Sequence, residues 1–224
     1  MIAAIDMESE AVAFASTENR EQKFSFCALG LESYGTAYHQ QFGIQLSSLP
    51  GVTMELDRVT RAFKRWNAET QLHVDATRQM LIAALKQSSV IHIAAHASED
   101  TIYLADGPFT TTELTALEIS EIRCRLIVLS VCDAANVKNT EISLSYELVR
   151  RGINLIGSVK PIDDILAKLF FAELYKNWLP KPGAQGIELA TAIRVAAEAM
   201  PAEAQGQLDE LVLYGDPTLQ FIFQ

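Results

Sequence analysis

VIHIAAH, residues 90–96, and LIVLSV, residues 126–131, decide the fold. Each is a continuous, mostly apolar run of strand length, without the polar alternation of a half-exposed strand. Such runs belong to strands buried on both faces, as in a parallel sheet covered by helices. INLIGSV, residues 153–159, is a third. Working outward, the period changes. Leu56, Val59, Phe63 and Trp66 recur at three- and four-residue steps, one face of a helix, with Arg58, Arg61, Lys64 and Arg65 as its solvated basic face. Gln71–Val74 reads as a short strand. Asp75 then stands where an N-cap belongs, ahead of a helix lined by Met80, Leu81, Ala84 and Leu85. Ile142–Arg151 is a helix stopped by Gly152. Ile162–Trp178 and Ile187–Met200 are helices parted by the breaker run Pro180–Gly186.

Shorter segments complete the pattern. Phe24–Leu31 reads as a strand and Tyr34–Ser48 as a long loop. Thr101–Asp106 forms a hairpin turning at Gly107-Pro108, Thr112 caps a short helix through Leu117, and Leu211–Tyr214 is a last strand ended by Gly215. Apolar strands alternating with helices give an α/β fold with a mostly parallel central sheet between helical layers. Residues 1–22 are expected to be an extension and residues 23–224 the domain.

Composition narrows the function. Eighteen basic against 28 acidic side chains leave a formal charge of −10, which argues against broad nucleic-acid binding. Three cysteines without metal-ligand spacing point to neither a disulfide framework nor structural zinc. A His73/His92/His96 metal site lacks a clustered carboxylate, and no cofactor is expected. No apolar run approaches the ~20 residues of a membrane span. The acidic amino terminus does not resemble a secretory signal, so a cytoplasmic protein without membrane association is expected.

In open α/β sheets, sites form beyond the carboxyl ends of the strands. The first apolar run delivers His96 there and the second delivers Cys132. If the two strands are neighbours, an imidazole and a thiol share one rim. A thiol with a pKa near ~8.5 is only a few per cent thiolate at neutral pH, and an adjacent imidazole can take its proton and later give it to a leaving amine. Backbone N–H groups of Ala97 and Cys132 could form an oxyanion hole, a single donor of which is worth ~10²–10³ in rate. Taken singly, a cysteine or histidine at a strand end is more often packing than chemistry. Cys27 and Cys124 are read as structural, and His92 as a hydrogen-bonded core histidine. Asp133, Asp163 and Asp164 fall on the same rim and could bind a basic substrate side chain; turn and helix capping are the plainer roles.

With these residues in view, the sequence resembles the CHAT-domain proteases, caspase-like cysteine peptidases related to separase. The resemblance runs through LPGVTMELDRV (Leu49–Val59), DATRQMLIAAL, VIHIAAH, LIVLSVC, SYELVRRGINLIGSV with PIDD, and LVLYGDPTL. It implies a caspase-like three-layer α/β/α sandwich, His96 and Cys132 as the catalytic dyad, and Asp163 near the pocket for the substrate side chain. It also implies a protein or peptide substrate, often cut after a basic residue, and a helical-repeat or regulatory protein partner in bacterial defence or regulation. The chain departs from the family pattern at Ala97, where Gly is usual, at Val131, where a small Ala is usual, and at Lys160, where Trp is common. These departures support the alternative of a non-catalytic, caspase-like interaction module. Lys160 is expected to repel a basic side chain or to pair with Asp163 or Asp164. A phosphoacceptor domain would need a phosphate-cradling glycine loop that the sequence lacks.

Overall fold

The computed structural model describes residues 3–5, 24–130, 143–160, 162–179 and 186–220. The parallel body of the sheet is built from β2 (Ser25–Gly30), β3 (Glu69–His73), β4 (Val90–Ala94), β8 (Leu126–Leu129) and β9 (Asn154–Ser158). Beside β9, β10 (Leu211–Tyr214) runs antiparallel, and β1 (Ala3–Ile5) pairs parallel with β10. The seven-stranded order is β1-β10-β9-β8-β4-β2-β3. The chain is therefore a mixed α/β protein with a mostly parallel central sheet. No pattern in the sequence marked β1, which sits within the stretch read as an extension.

Strand parity sorts the core into two layers. Phe26, Ala28, Val90, Ala94, Leu126 and Val128 face α2 (Val52–Lys64), α6 (Asp164–Trp178) and α7 (Leu189–Glu198). Cys27, Leu29, Ile91, Ile93, Ile127 and Leu129 face α3 (Arg78–Gln87), α5 (Leu144–Arg150) and a small sheet of β5 (Ala97–Ser98), β6 (Thr101–Leu104) and β7 (Gly107–Thr110). Both faces are covered, as continuous apolar strands require. Gly30 lets α2 come down on the sheet: a Cβ there would lie 2.6 Å from Val52 Cγ1 and 2.8 Å from the Ala94 carbonyl oxygen.

Strand order also creates the crevice. From β2 the chain passes through α1 (Thr36–Phe42) and α2 to β3 on one side. β4 lies on the other side of β2, and the chain then moves away through β8 to β9. Connections leave β2 and β4 in opposite directions, so a cleft opens at their carboxyl ends.

Several local expectations are corrected. Tyr34–Ser48 is not all loop: α1 lies in it, two turns bounded by Gly35 and Gly43, too short for a legible period. Thr77, not Asp75, caps α3, because its extended backbone lets its hydroxyl accept from Met80 N–H at 3.3 Å; Asp75 bridges Leu31 instead. Met80 faces outward, and Leu81, Ala84 and Leu85 make the buried face. Gly107-Pro108 begins β7 after a turn at Ala105-Asp106. The cap of α4 (Thr111–Thr115) is Thr110, in a reciprocal box with Glu113.

Candidate active site

His92 and His96 share strand parity but meet different surroundings. His92 is fully buried in β4, its Nε2 2.8 Å from Glu55 Oε1 and its Nδ1 2.9 Å from the Tyr175 hydroxyl. It is the core histidine expected. Burial pushes the Cys27 and Cys124 thiols up to about 12, so both stay protonated and inert at neutral pH.

His96 stands just past the carboxyl end of β4, half-buried at the mouth of the crevice. Four contacts fix it. Its backbone N–H donates to the Tyr34 hydroxyl at 2.9 Å, and that hydroxyl donates to the Tyr103 carbonyl at 3.0 Å. The Tyr103 N–H in turn donates to the His96 carbonyl at 2.9 Å. The Tyr34 ring packs on the imidazole with centroids 5.1 Å apart. On the ring itself, Nε2 lies 2.9 Å from the Ser47 carbonyl oxygen. A carbonyl only accepts, so Nε2 carries the hydrogen and the neutral ring offers its lone pair at Nδ1.

The same pairing orients Ala97. Residues 96 and 103 form a hydrogen-bonded position of an antiparallel ladder, so the next pair, Ala97 and Ile102, is a non-bonded one. The Ala97 N–H therefore points away from β6.

An open cleft begins at His96. Leu49, Pro50 and Gly51 form one lip, and Ser130 and Ser158, at the ends of β8 and β9, form another. Val52, Ile162, Phe171 and Leu211 supply apolar wall, and Glu55 and Lys168 supply charge. The cleft lies where the strand order placed it.

The expected site residues divide. His96 lines the crevice, and Ala97 follows it as the first residue of β5. Cys132, Asp133 and Val131 lie outside the described residues, as does the side chain of Asp164. Asp163 is the N-cap of α6: one carboxylate oxygen accepts from Ile165 N–H at 2.9 Å and from Leu166 N–H at 3.1 Å. It is not among the residues lining the cleft. Lys160 pairs with Glu210, Nζ to Oε1 2.6 Å, rather than with Asp163. Among the described residues no cluster of His, Cys, Asp and Glu could hold a metal ion, and no helix is long and apolar enough to cross a membrane. Sequence reasoning missed Tyr34, Ser47 and Glu55. Only Glu55 had a signal, an acidic residue among the apolar positions of an amphipathic helix.

Comparison with known proteins gives the same picture. A family model described as CHAT domain matches residues 3–212. No curated protein matches the chain in sequence. Among solved structures, the Arg-specific cysteine proteinase gingipain R aligns with a TM-score of 0.62 at 15% identity, over 89% of this chain and 48% of that one. A complex of the pro- and mature domains of Porphyromonas gingivalis RgpB aligns with a TM-score of 0.62 at 13% identity, over 87% and 48%. A third structure, described only as a protease, aligns with a TM-score of 0.63 at 13% identity, over 89% and 49%. The fold is thus the caspase-like α/β/α sandwich, and the chain spans about half the length of these neighbours.

Proposed function

Because the chain belongs to the CHAT-domain family of caspase-like cysteine proteases, we propose that it is a cysteine endopeptidase with Cys132 as nucleophile and His96 as general base and acid. In this reading His96 Nδ1 takes the thiol proton as sulfur attacks the peptide carbonyl carbon. The tetrahedral oxyanion collapses to a thioester, and His96 returns the proton to the leaving amine. Water, deprotonated by the same imidazole, then hydrolyses the thioester and restores the thiol. The observation that carries the reading is the Ser47 carbonyl on His96 Nε2, which leaves Nδ1 as the basic atom beside an open cleft. The Ala97 N–H, turned out of the ladder, is suited to meet the oxyanion with the Cys132 N–H. A side chain at position 97 does not remove that donor, so the departure from Gly does not by itself argue for a non-catalytic module.

The substrate is a protein or peptide, and a helical-repeat or regulatory partner in a bacterial cytoplasm fits the same reading. The test is cleavage of a mixed peptide library by wild type, Cys132→Ala and His96→Ala. Turnover by wild type alone supports the dyad. Equal turnover by all three would remove it, and silence from all three together with an unreactive Cys132 would favour the interaction module.

A further inference from the structure

The Ser47 carbonyl that meets His96 Nε2 belongs to a segment with little of its own to hold it. Residues 44–50 run between two left-handed glycines, Gly43 at φ 70° and Gly51 at φ 113°, and form neither helix nor strand. Ile44, Leu46 and Leu49 reach the core only as half-buried side chains at its margin. A carbonyl that orients an imidazole must nevertheless be held to a fraction of an ångström, so the segment needs an outside anchor.

Glu32, just past the carboxyl end of β2, grips the chain on both sides of Pro50. Ahead of the proline, the Glu32 carbonyl accepts from the Leu49 N–H at 2.8 Å, two residues from Ser47. Beyond it, one carboxylate oxygen accepts from the Thr53 hydroxyl at 2.6 Å and from the Thr53 N–H at 3.4 Å. Thr53 lies in the first turn of α2, whose N-cap, Gly51, has no side chain to offer. Glu32 thus caps α2 across a separation of 21 residues, with its negative charge at the favourable end of the helix dipole. The Thr53 hydroxyl, joined by the Thr53 and Gly51 N–H groups, holds the Glu32 carboxyl below its usual range against the opposing effect of desolvation. At neutral pH it therefore only accepts. Glu32 does not line the cleft, so its influence on His96 runs through the chain it holds.

We propose that Glu32 is a positioning residue for His96: by clasping Leu49 and the start of α2 it fixes the Ser47 carbonyl, which keeps the hydrogen on Nε2 and the lone pair at Nδ1. That Nδ1 is the general base rests on the peptidase reading; the coupling of Glu32 to the imidazole does not. A cap that served α2 alone would cost stability when removed and leave His96 as it was.

Two arms test it. The first is long-range nitrogen-15 NMR of the imidazoles at about pH 8.5, where an ordinary histidine is neutral, with the His96 signals identified by their loss in His96→Ala. Wild type is expected to show the Nε2–H tautomer. Glu32→Leu should shift both ring nitrogens toward a mixture of tautomers, and Glu32→Gln, whose amide oxygen still accepts from Thr53, should restore most of the wild-type pattern. Thr53→Val, which deletes only the hydroxyl donor, should shift the signals the same way by less, and it carries the test if Glu32→Leu does not fold. Thr77→Ala, which removes the cap of α3, is the comparator for a loss of stability alone and should leave them in place. Unmoved His96 signals in Glu32→Leu and Thr53→Val, an equal shift in Thr77→Ala, or a wild-type ring already mixed overturns the proposal. The second arm is turnover of the best-cleaved library peptide. In Glu32→Leu kcat should fall about 10-fold with KM little changed, and Glu32→Gln should recover most of it. A rise in KM with kcat unchanged would make Glu32 a support of the lip alone and overturns the proposal too. A tautomer shift in Glu32→Leu without peptide cleavage by any form would sink the peptidase reading alone.

Discussion

A single hydroxyl ties the loop after β2 to the backbone of the candidate base. Tyr34 accepts from the His96 N–H and donates to the Tyr103 carbonyl, filling a gap in the ladder where β4 gives way to the small sheet. Tyr34→Phe leaves both groups without their partner, which costs about 1–3 kcal/mol. Urea titration should register that loss, and peptide turnover should fall with it as His96 loosens; an unchanged midpoint would deny the hydroxyl this role. The thiols make a second expectation at this scale. In the native protein a mild alkylator should spare Cys27 and Cys124, whose burial holds them up to about 12, and should modify Cys132 at neutral pH. Peptide mapping before and after unfolding reads the difference. His96 was legible because an apolar strand must end, and the residue just beyond its carboxyl end stands on the rim. Tyr34 and Ser47 were not, since contacts spanning 62 and 49 residues leave no local trace, and Ser47 acts through a carbonyl that every residue has.

Helix ends carry the next set of consequences. Asp163 stood in the sequence between two roles, rim carboxylate and N-cap, and its carboxylate closes on the Ile165 and Leu166 N–H groups. Asp163→Ala should therefore cost about 1 kcal/mol of stability, while the preference for the residue before the cut stays as in wild type. Denaturant midpoints and turnover of peptides that differ only at the residue before the cut separate these outcomes, and a changed preference in this variant would return Asp163 to the substrate site. Caps were misread where two candidates lay within two residues of each other. Asp75 and Thr77 both have capping side chains, and only the bridge from Asp75 to Leu31 decides between them. Strands fared better: β4, β8 and β9 were each legible to within about two residues at either end, because burial on both faces leaves no polar position to confuse the pattern.

Across the whole molecule, buried acids tie stability to pH. Cys27, Cys124, Tyr34, Tyr38, Tyr175 and Tyr214 all hold their protons more tightly folded than unfolded, through burial. The folded state then binds more protons, so stability falls as pH rises. The contribution of the two thiols is complete below about 8.5, where unfolded cysteine begins to ionise, and is lost on the way to their folded value near 12. Melting temperatures from about pH 7 to about pH 10.5 should decline, and Cys27→Ala/Cys124→Ala should flatten that decline; a slope untouched by the double variant would contradict it. The sheet and its two helical layers were readable from periodicity alone, as was the rim on which chemistry would stand. The lining of the crevice was not, because Glu55, Phe171 and Leu211 converge only once α2, α6 and β10 are packed. The most direct measurement is mass spectrometry after treatment with an electrophilic arginyl-peptide probe that traps an attacking thiolate. The adduct should sit on Cys132 in wild type and be largely lost in His96→Ala. Labelling that is independent of His96, or that falls on another residue, would contradict the proteolytic account.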